Sequence, residues 1–172
     1  MYNMEQEFIN AQRGNRESFI QLYRRLEIEL YGLAKCIVSH DEDFMIAFQN
    51  TILQVYTIIN TFREPEHFKT QVIRILIDEC NQLMHGRGTT DAIVESRNDF
   101  KETIHVASVQ RLNLRDAVNQ LEKDFRIVIH LFYFQNCSIK QIAYVLHIEE
   151  AEVKIRLRKA RERLAEWINE NN

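Results

Sequence analysis

Between Val153 and Arg163 six basic side chains, Lys154, Arg156, Arg158, Lys159, Arg161 and Arg163, stand against a single carboxylate, Glu162. A local charge of +5 on eleven residues suits a polyanion, because lysine and arginine neutralise phosphates and release their counterions. The plainer reading is a solvated helix face, which many basic runs are. Position favours the first. Ser138-Ile139-Lys140-Gln141 is a capping box, with the hydroxyl placed for the third helical amide and the Gln side chain reaching back. A helix is therefore expected from Ser138 to Leu146, with Ile139, Ile142, Ala143 and Leu146 on its apolar face. His147-Ile148 makes the turn, and Val153, Leu157, Ala160, Leu164 and Trp167 follow at spacings of four and three. Lys154, Arg156, Arg158 and Arg161 then lie on the opposite face, the arrangement that puts a helix in a major groove. Glu149, Glu150 and Glu152 favour the helix dipole at its start but repel phosphate, and Glu152 suits a cytosine amino group. An ordinary helical hairpin accounts for the same pattern without DNA.

Other chemistry is absent. No glycine-rich phosphate loop, HExxH, CxxC pair or Gly-x-Ser-x-Gly occurs, so neither a catalytic centre nor a cofactor is expected. Cys36 and His40 stand four apart, but two ligands are too few for a metal site. Cys36, Cys80 and Cys137 are odd in number and scattered, which predicts free, partly buried thiols. Tyr31, Tyr56, Tyr133 and Tyr144 fall inside expected helices and read as core. Phe62 and Phe68 flank the only proline, Pro65, and are the aromatics left for contact with unstacked bases.

The elements that must position these residues are helices. Four Gly and one Pro in 172 residues leave few tight turns. Hydrophobic residues at 45% and charged residues at 27% allow a packed core and exclude disorder throughout. Apolar residues recur at helical spacing from Phe19 to Val38, from Asp43 to Asn60 and from Glu66 to Met84, three helices for one small core. Periodicity then fades around His85-Gly86-Arg87-Gly88, which reads as a linker. It returns in four pieces, Leu112 to Leu121, Phe125 to Gln135, Ser138 to Leu146 and Glu149 to Ile168. The expectation is an all-α chain of two small helical domains, 1–87 and 112–172, joined by a linker over 88–111.

The formal net charge of −3 argues against a protein that coats nucleic acid, and the charge is uneven. Residues 1–87 carry −3, residues 88–111 carry −1 and residues 112–172 carry +1. No apolar stretch approaches the roughly 20 residues that cross a bilayer, so no membrane insertion is expected. The start, Met1-Tyr2-Asn3-Met4-Glu5-Gln6-Glu7, has neither a basic region nor an apolar run, which predicts a cytoplasmic protein.

Gln120-Leu121-Glu122-Lys123-Asp124-Phe125-Arg126, then Ser138 to Ala143 and Val153 to Arg161, resemble region four of extracytoplasmic-function sigma factors of the sigma-70 family. Gly14 with Phe19, Leu22 and Tyr23, then Gln49, Thr51, Val55 and Tyr56, and Phe68-Lys69-Thr70 with Arg74-Ile75, are similar to region two. The resemblance implies a promoter-specificity subunit of bacterial RNA polymerase whose partners are core polymerase and promoter DNA, with room for an anti-sigma factor. Region two would grip the core enzyme and melt the minus-ten element. Region four would read the minus-thirty-five element. Lys154, Arg156 and Arg158, with Glu152, Lys140 and Arg161 nearby, are then the residues expected at DNA. Gln49 and Asn50 are expected on the core-binding helix, and Phe62, Phe68, Arg74 and Asn81 near the melted strand.

Departures from the family pattern concentrate in region two. Met45 and Ile46 replace an acidic pair, Asn50 a glutamate, Gln71 a tryptophan and Asp78 an asparagine. In region four, Glu122 replaces a proline and His147 the turn glycine. Two other readings follow, a stand-alone helix-turn-helix regulator and a degenerate sigma-like protein that binds a partner protein.

Overall fold

A long-range aromatic cluster and two capping devices organise the residues that the computed structural model describes, 4–86 and 116–170. Among them every regular element is helical. The chain divides into two units, Met1–Gly88 and Thr89–Asn172. The expected linker over 88–111 lies outside the described residues, as do 112–115 of the helix expected from Leu112.

The first unit contains α1 (Met4–Gln12), α2 (Arg16–Ala34), α3 (Asp41–Ile58) and α4 (Pro65–Gly86). The apolar spacing from Phe19 onward does not mark α1, so the core has four helices rather than three. Phe8 and Ala11 are its buried contribution. Gly14, with φ at 87°, turns the chain out of α1 in a left-handed conformation that glycine adopts at little cost. Asn15 then caps α2, its side chain accepting from the Ser18 N–H at 3.0 Å. The helix stops at Ala34, four residues before the end of the apolar pattern, because Cys36, Ile37 and Val38 stay buried in a non-helical connection.

Phe68 sits at the centre of this unit, fully buried, with its ring edge-on to Phe8 at 5.7 Å and to Phe62 at 6.1 Å. Gln12 ties α1 to the same region by donating to the Ile59 and Phe62 carbonyls at 3.0 and 2.6 Å. Between α2 and α3, Lys35 reaches Asp41 at 2.9 Å; this hydrogen bond and then the lysine charge hold the Asp41 carboxyl below its usual range. Cys36, Cys80 and Cys137 are all buried and free.

Burial, reinforced by Glu27, pushes the Tyr23 phenol far above its ordinary value. The folded state therefore favours the neutral ring, and its stability is expected to fall as pH rises above about 10, where the unfolded tyrosine ionises. Thermal melts from about pH 8 to about pH 11 on the wild type and on Tyr23→Phe check this: the variant should lose less stability over that interval.

In the second unit, residues 116–120 are helical, followed by α5 (Lys123–Ile129), a π-helical segment (His130–Phe134), α6 (Ile139–Leu146) and α7 (Glu150–Glu170). The helix expected over Phe125 to Gln135 thus changes geometry midway. Its last turn closes with the Gln135 N–H on the His130 carbonyl at 3.1 Å, one residue wider than an α-turn. Asn136 in a left-handed conformation ends it. Val128, Leu131, Ile142, Val145, Val153 and Leu157 form the core.

Candidate nucleic-acid interface

The capping box closes from both sides: the Ser138 hydroxyl accepts from the Gln141 N–H at 3.2 Å, and the Gln141 carbonyl oxygen accepts from the Ser138 N–H at 2.8 Å. This starts α6 and orients Ile142 and Val145 into the core beside Val153 of α7. His147 follows at φ 55°, ψ 40°, left-handed, and the Ile148 N–H returns to the Ala143 carbonyl at 3.1 Å. The turn therefore has the geometry of a glycine-type helix end, built with a histidine.

A side chain in that conformation carries strain of about 1 kcal/mol. His147→Gly is expected to leave the helix-turn-helix intact and to raise stability by no more than about 0.5 kcal/mol, after the entropy that glycine adds to the unfolded chain. A denaturant titration checks both sign and size.

On α7 the buried Val153, Leu157 and Ala160 separate two rows of basic residues. Lys154, Arg158 and Arg161, at steps of four and three, form one row. Arg156, Lys159 and Arg163, at three and four, form the other. Among the described residues Lys154 makes no ion pair, and it is exposed, as is Lys140 on α6. Arg158 pairs with Glu162 at 3.1 Å while its side chain stays 64% exposed. Such a solvent-screened pair costs little to exchange for a phosphate. Arg161 donates to the Tyr133 hydroxyl at 2.9 Å and lies 5.6 Å from the Phe132 and Tyr133 ring centres. Those rings hold it on the first row.

Arg156 has a different setting. Its guanidinium meets Glu152 at 2.7 Å and Asp124 of α5 at 2.9 Å, and its side chain is 22% exposed. The structure thus separates the residues expected at DNA: Lys154, Arg158 and Arg161 share a row, while Arg156 and Glu152 are engaged with each other on the opposite flank. Sequence spacing showed neither Asp124 as a partner of Arg156 nor Tyr133 as the support of Arg161, since each pair is about 30 residues apart in the chain. Tyr56, Tyr133 and Tyr144, read as core, are instead 45%, 52% and 43% exposed.

In the first unit Gln49 is exposed on α3, and Asn50 donates to Glu79 of α4 at 2.8 Å. Gln54 donates to the other oxygen of the same carboxylate. Phe68, expected near a melted strand, is buried with no ring face open to a base, which corrects that assignment. Phe62 is half-buried beside it, and Arg74 and Asn81 are half-buried along α4. No group of three or more metal-ligating side chains occurs among the described residues.

Residues 111–164 match the family model described as "Sigma-70, region 4". The ECF RNA polymerase sigma factor SigM of Mycobacterium tuberculosis is 30% identical over 159 residues, covering 88% of this chain and 78% of its own. The RNA polymerase sigma-H factor of Pseudomonas aeruginosa is 28% identical over 167 residues, with 88% of this chain and 86% of that one covered. The sigma factor RpoE of Bartonella quintana, solved in complex with the anti-sigma factor NepR, shares the fold with a TM-score of 0.63, at 22% identity over 85% of this chain and 95% of that one. A turn that closes as a helix-turn-helix, a basic row on its second helix and relatives matched along most of their length converge on one assignment: the chain belongs to the extracytoplasmic-function sigma factors of the sigma-70 family.

Proposed function

We propose that the chain directs transcription initiation by binding core RNA polymerase and promoter DNA, acting by binding and not by catalysis, in the cytoplasm. The observation that carries this reading is the exposed row Lys154, Arg158 and Arg161 on the second helix of a helix-turn-helix closed by a full capping box. Residues 1–87 serve as the region-two domain and residues 112–172 as the region-four domain, with 88–111 between them. In region four, Lys154 and Arg158 meet phosphates first, Lys140 lies beside them, and Arg161 is steadied by Tyr133. Arg156 and Glu152 act as a coupled pair at base edges, where an arginine reads guanine and a carboxylate reads cytosine. In region two, α3 carries the polymerase contact around Gln49 and Asn50, and Phe62, Arg74 and Asn81 lie toward the opened strand. An anti-sigma factor is a further partner, supported by the likeness to the RpoE fold.

The test is transcription of the host's sheared genomic DNA by its core polymerase, with and without the chain, followed by sequencing of the transcripts. New start sites sharing upstream elements are the expected result. No new start sites from folded protein that binds core polymerase would overturn it.

A further inference from the structure

Between the two basic rows of α7, on the side away from the core, stands one branched aliphatic side chain. Ile155 is two residues from both Val153 and Leu157, which at about 100° per residue sets it about 160° round the helix from each. Val153 and Leu157 are buried, whereas Ile155 is 41% exposed, the one large hydrophobic residue of α7 so placed. Lys154 and Arg158 flank it on one side, Arg156 and Lys159 on the other, and Ala151, one turn earlier, is exposed on the same line. Toward α5 the groove that it lines with Phe125 and Lys159 is open.

The chemistry around Ile155 selects what covers it. Cationic rows on both flanks suit the two phosphate strands that border a groove, so the line between them faces the base edges. In the major groove those edges display donors, acceptors and one methyl group, the 5-methyl of thymine. A guanine oxygen or an adenine amino group pressed against Ile155 would lose its water and gain no hydrogen bond. A thymine methyl would instead remove apolar surface from water on both sides. We infer that Ile155, with the small Ala151 beside it, selects a thymine in the upstream promoter element through contact with its 5-methyl group. This rests on the reading that α7 enters promoter DNA.

The experiment uses the full chain with its host's core polymerase and promoter fragments that this complex recovers from the host's sheared genomic DNA. Each thymine of the shared upstream element is replaced in turn by deoxyuridine, which deletes the methyl group and keeps the base pair. Affinities of the wild type and of Ile155→Ala are measured by fluorescence anisotropy. Exposure of Ile155 lets the variant fold, which helical circular dichroism checks. At one thymine the wild type is expected to bind the uracil form about three- to fivefold more weakly, the value of one buried methyl group. Ile155→Ala is expected to bind the thymine form about 3- to 10-fold more weakly than the wild type, and the uracil form no worse than the thymine form. Its salt slope is expected to match the wild type, because no charge is lost. Wild-type binding indifferent to uracil at every thymine, or equal binding of the thymine form by Ile155→Ala, would overturn the inference and leave promoter binding standing. So would a uracil penalty that persists in Ile155→Ala, which would assign the methyl effect to DNA shape. Recovery of no sequences with a shared upstream element would overturn the promoter reading itself.

Discussion

Phe68→Ala is expected to destabilise the protein by about 3–5 kcal/mol, the usual range for removing a buried phenylalanine. The ring is fully buried and bridges Phe8 of α1 to Phe62 after α3, so its loss opens a cavity where three segments meet. Against a total of about 5–15 kcal/mol for a domain, that change unfolds much of the population at growth temperature. Chemical denaturation with a helical readout measures it. Phe68→Leu keeps most of the volume and is expected to cost about 1–1.5 kcal/mol. The pair also separates two roles: a ring that stacked on an opened base would lose promoter opening in Phe68→Leu with stability nearly intact. Burial predicts that opening follows stability instead.

The second large effect falls on DNA. Lys154→Ala with Arg158→Ala removes two charges from the exposed row of α7, and each phosphate contact accounts for about one unit of the salt slope. Binding to promoter DNA should weaken by about 10- to 100-fold at moderate salt, and the plot of log affinity against log salt should flatten by about two units. Fluorescence anisotropy with a labelled promoter fragment, using the full chain with core polymerase, reads both numbers. An unchanged slope would remove this row from the interface. Arg156→Ala is expected to flatten the slope less, because its guanidinium already faces two carboxylates.

Local signals carried most of the fold. Ser138 and Gln141 announced a helix start through chemistry confined to four residues, and both bonds of the box are present. The stripes that mark α2, α3, α4, α6 and α7 are legible because each helix buries one face at a fixed period. The short α1 escaped because its nine residues bury only Phe8 and Ala11, too few to make a period. Helical spacing also ran past Ala34, since a buried loop can hold the same apolar residues as a helix. The site was legible in part. The sequence located the basic residues of α7, but sorting them into two rows with different partners depends on Asp124 and Tyr133, which only tertiary folding brings near. Phe68 looked available because it follows a proline loop; sequence position says nothing of the depth at which a ring lies.

The double clamp on Arg156 turns a DNA contact there into an exchange. A phosphate or guanine that recruits its guanidinium must displace Asp124 and Glu152; these carboxylates, 57% and 43% exposed, keep their hydration, so the loss falls on the two pairs of the 22%-exposed arginine. Random DNA, which offers only phosphate at arbitrary register, compensates poorly for two broken pairs. A sequence that seats the arginine bidentately, and gives Glu152 an amino group at the same step, restores both. If Arg156 meets DNA as proposed, Asp124 and Glu152 act as competitors that raise the threshold for adhesion to bulk DNA. On that proposal the pairs would confer selectivity by subtracting affinity from the wrong sites more than from the right one.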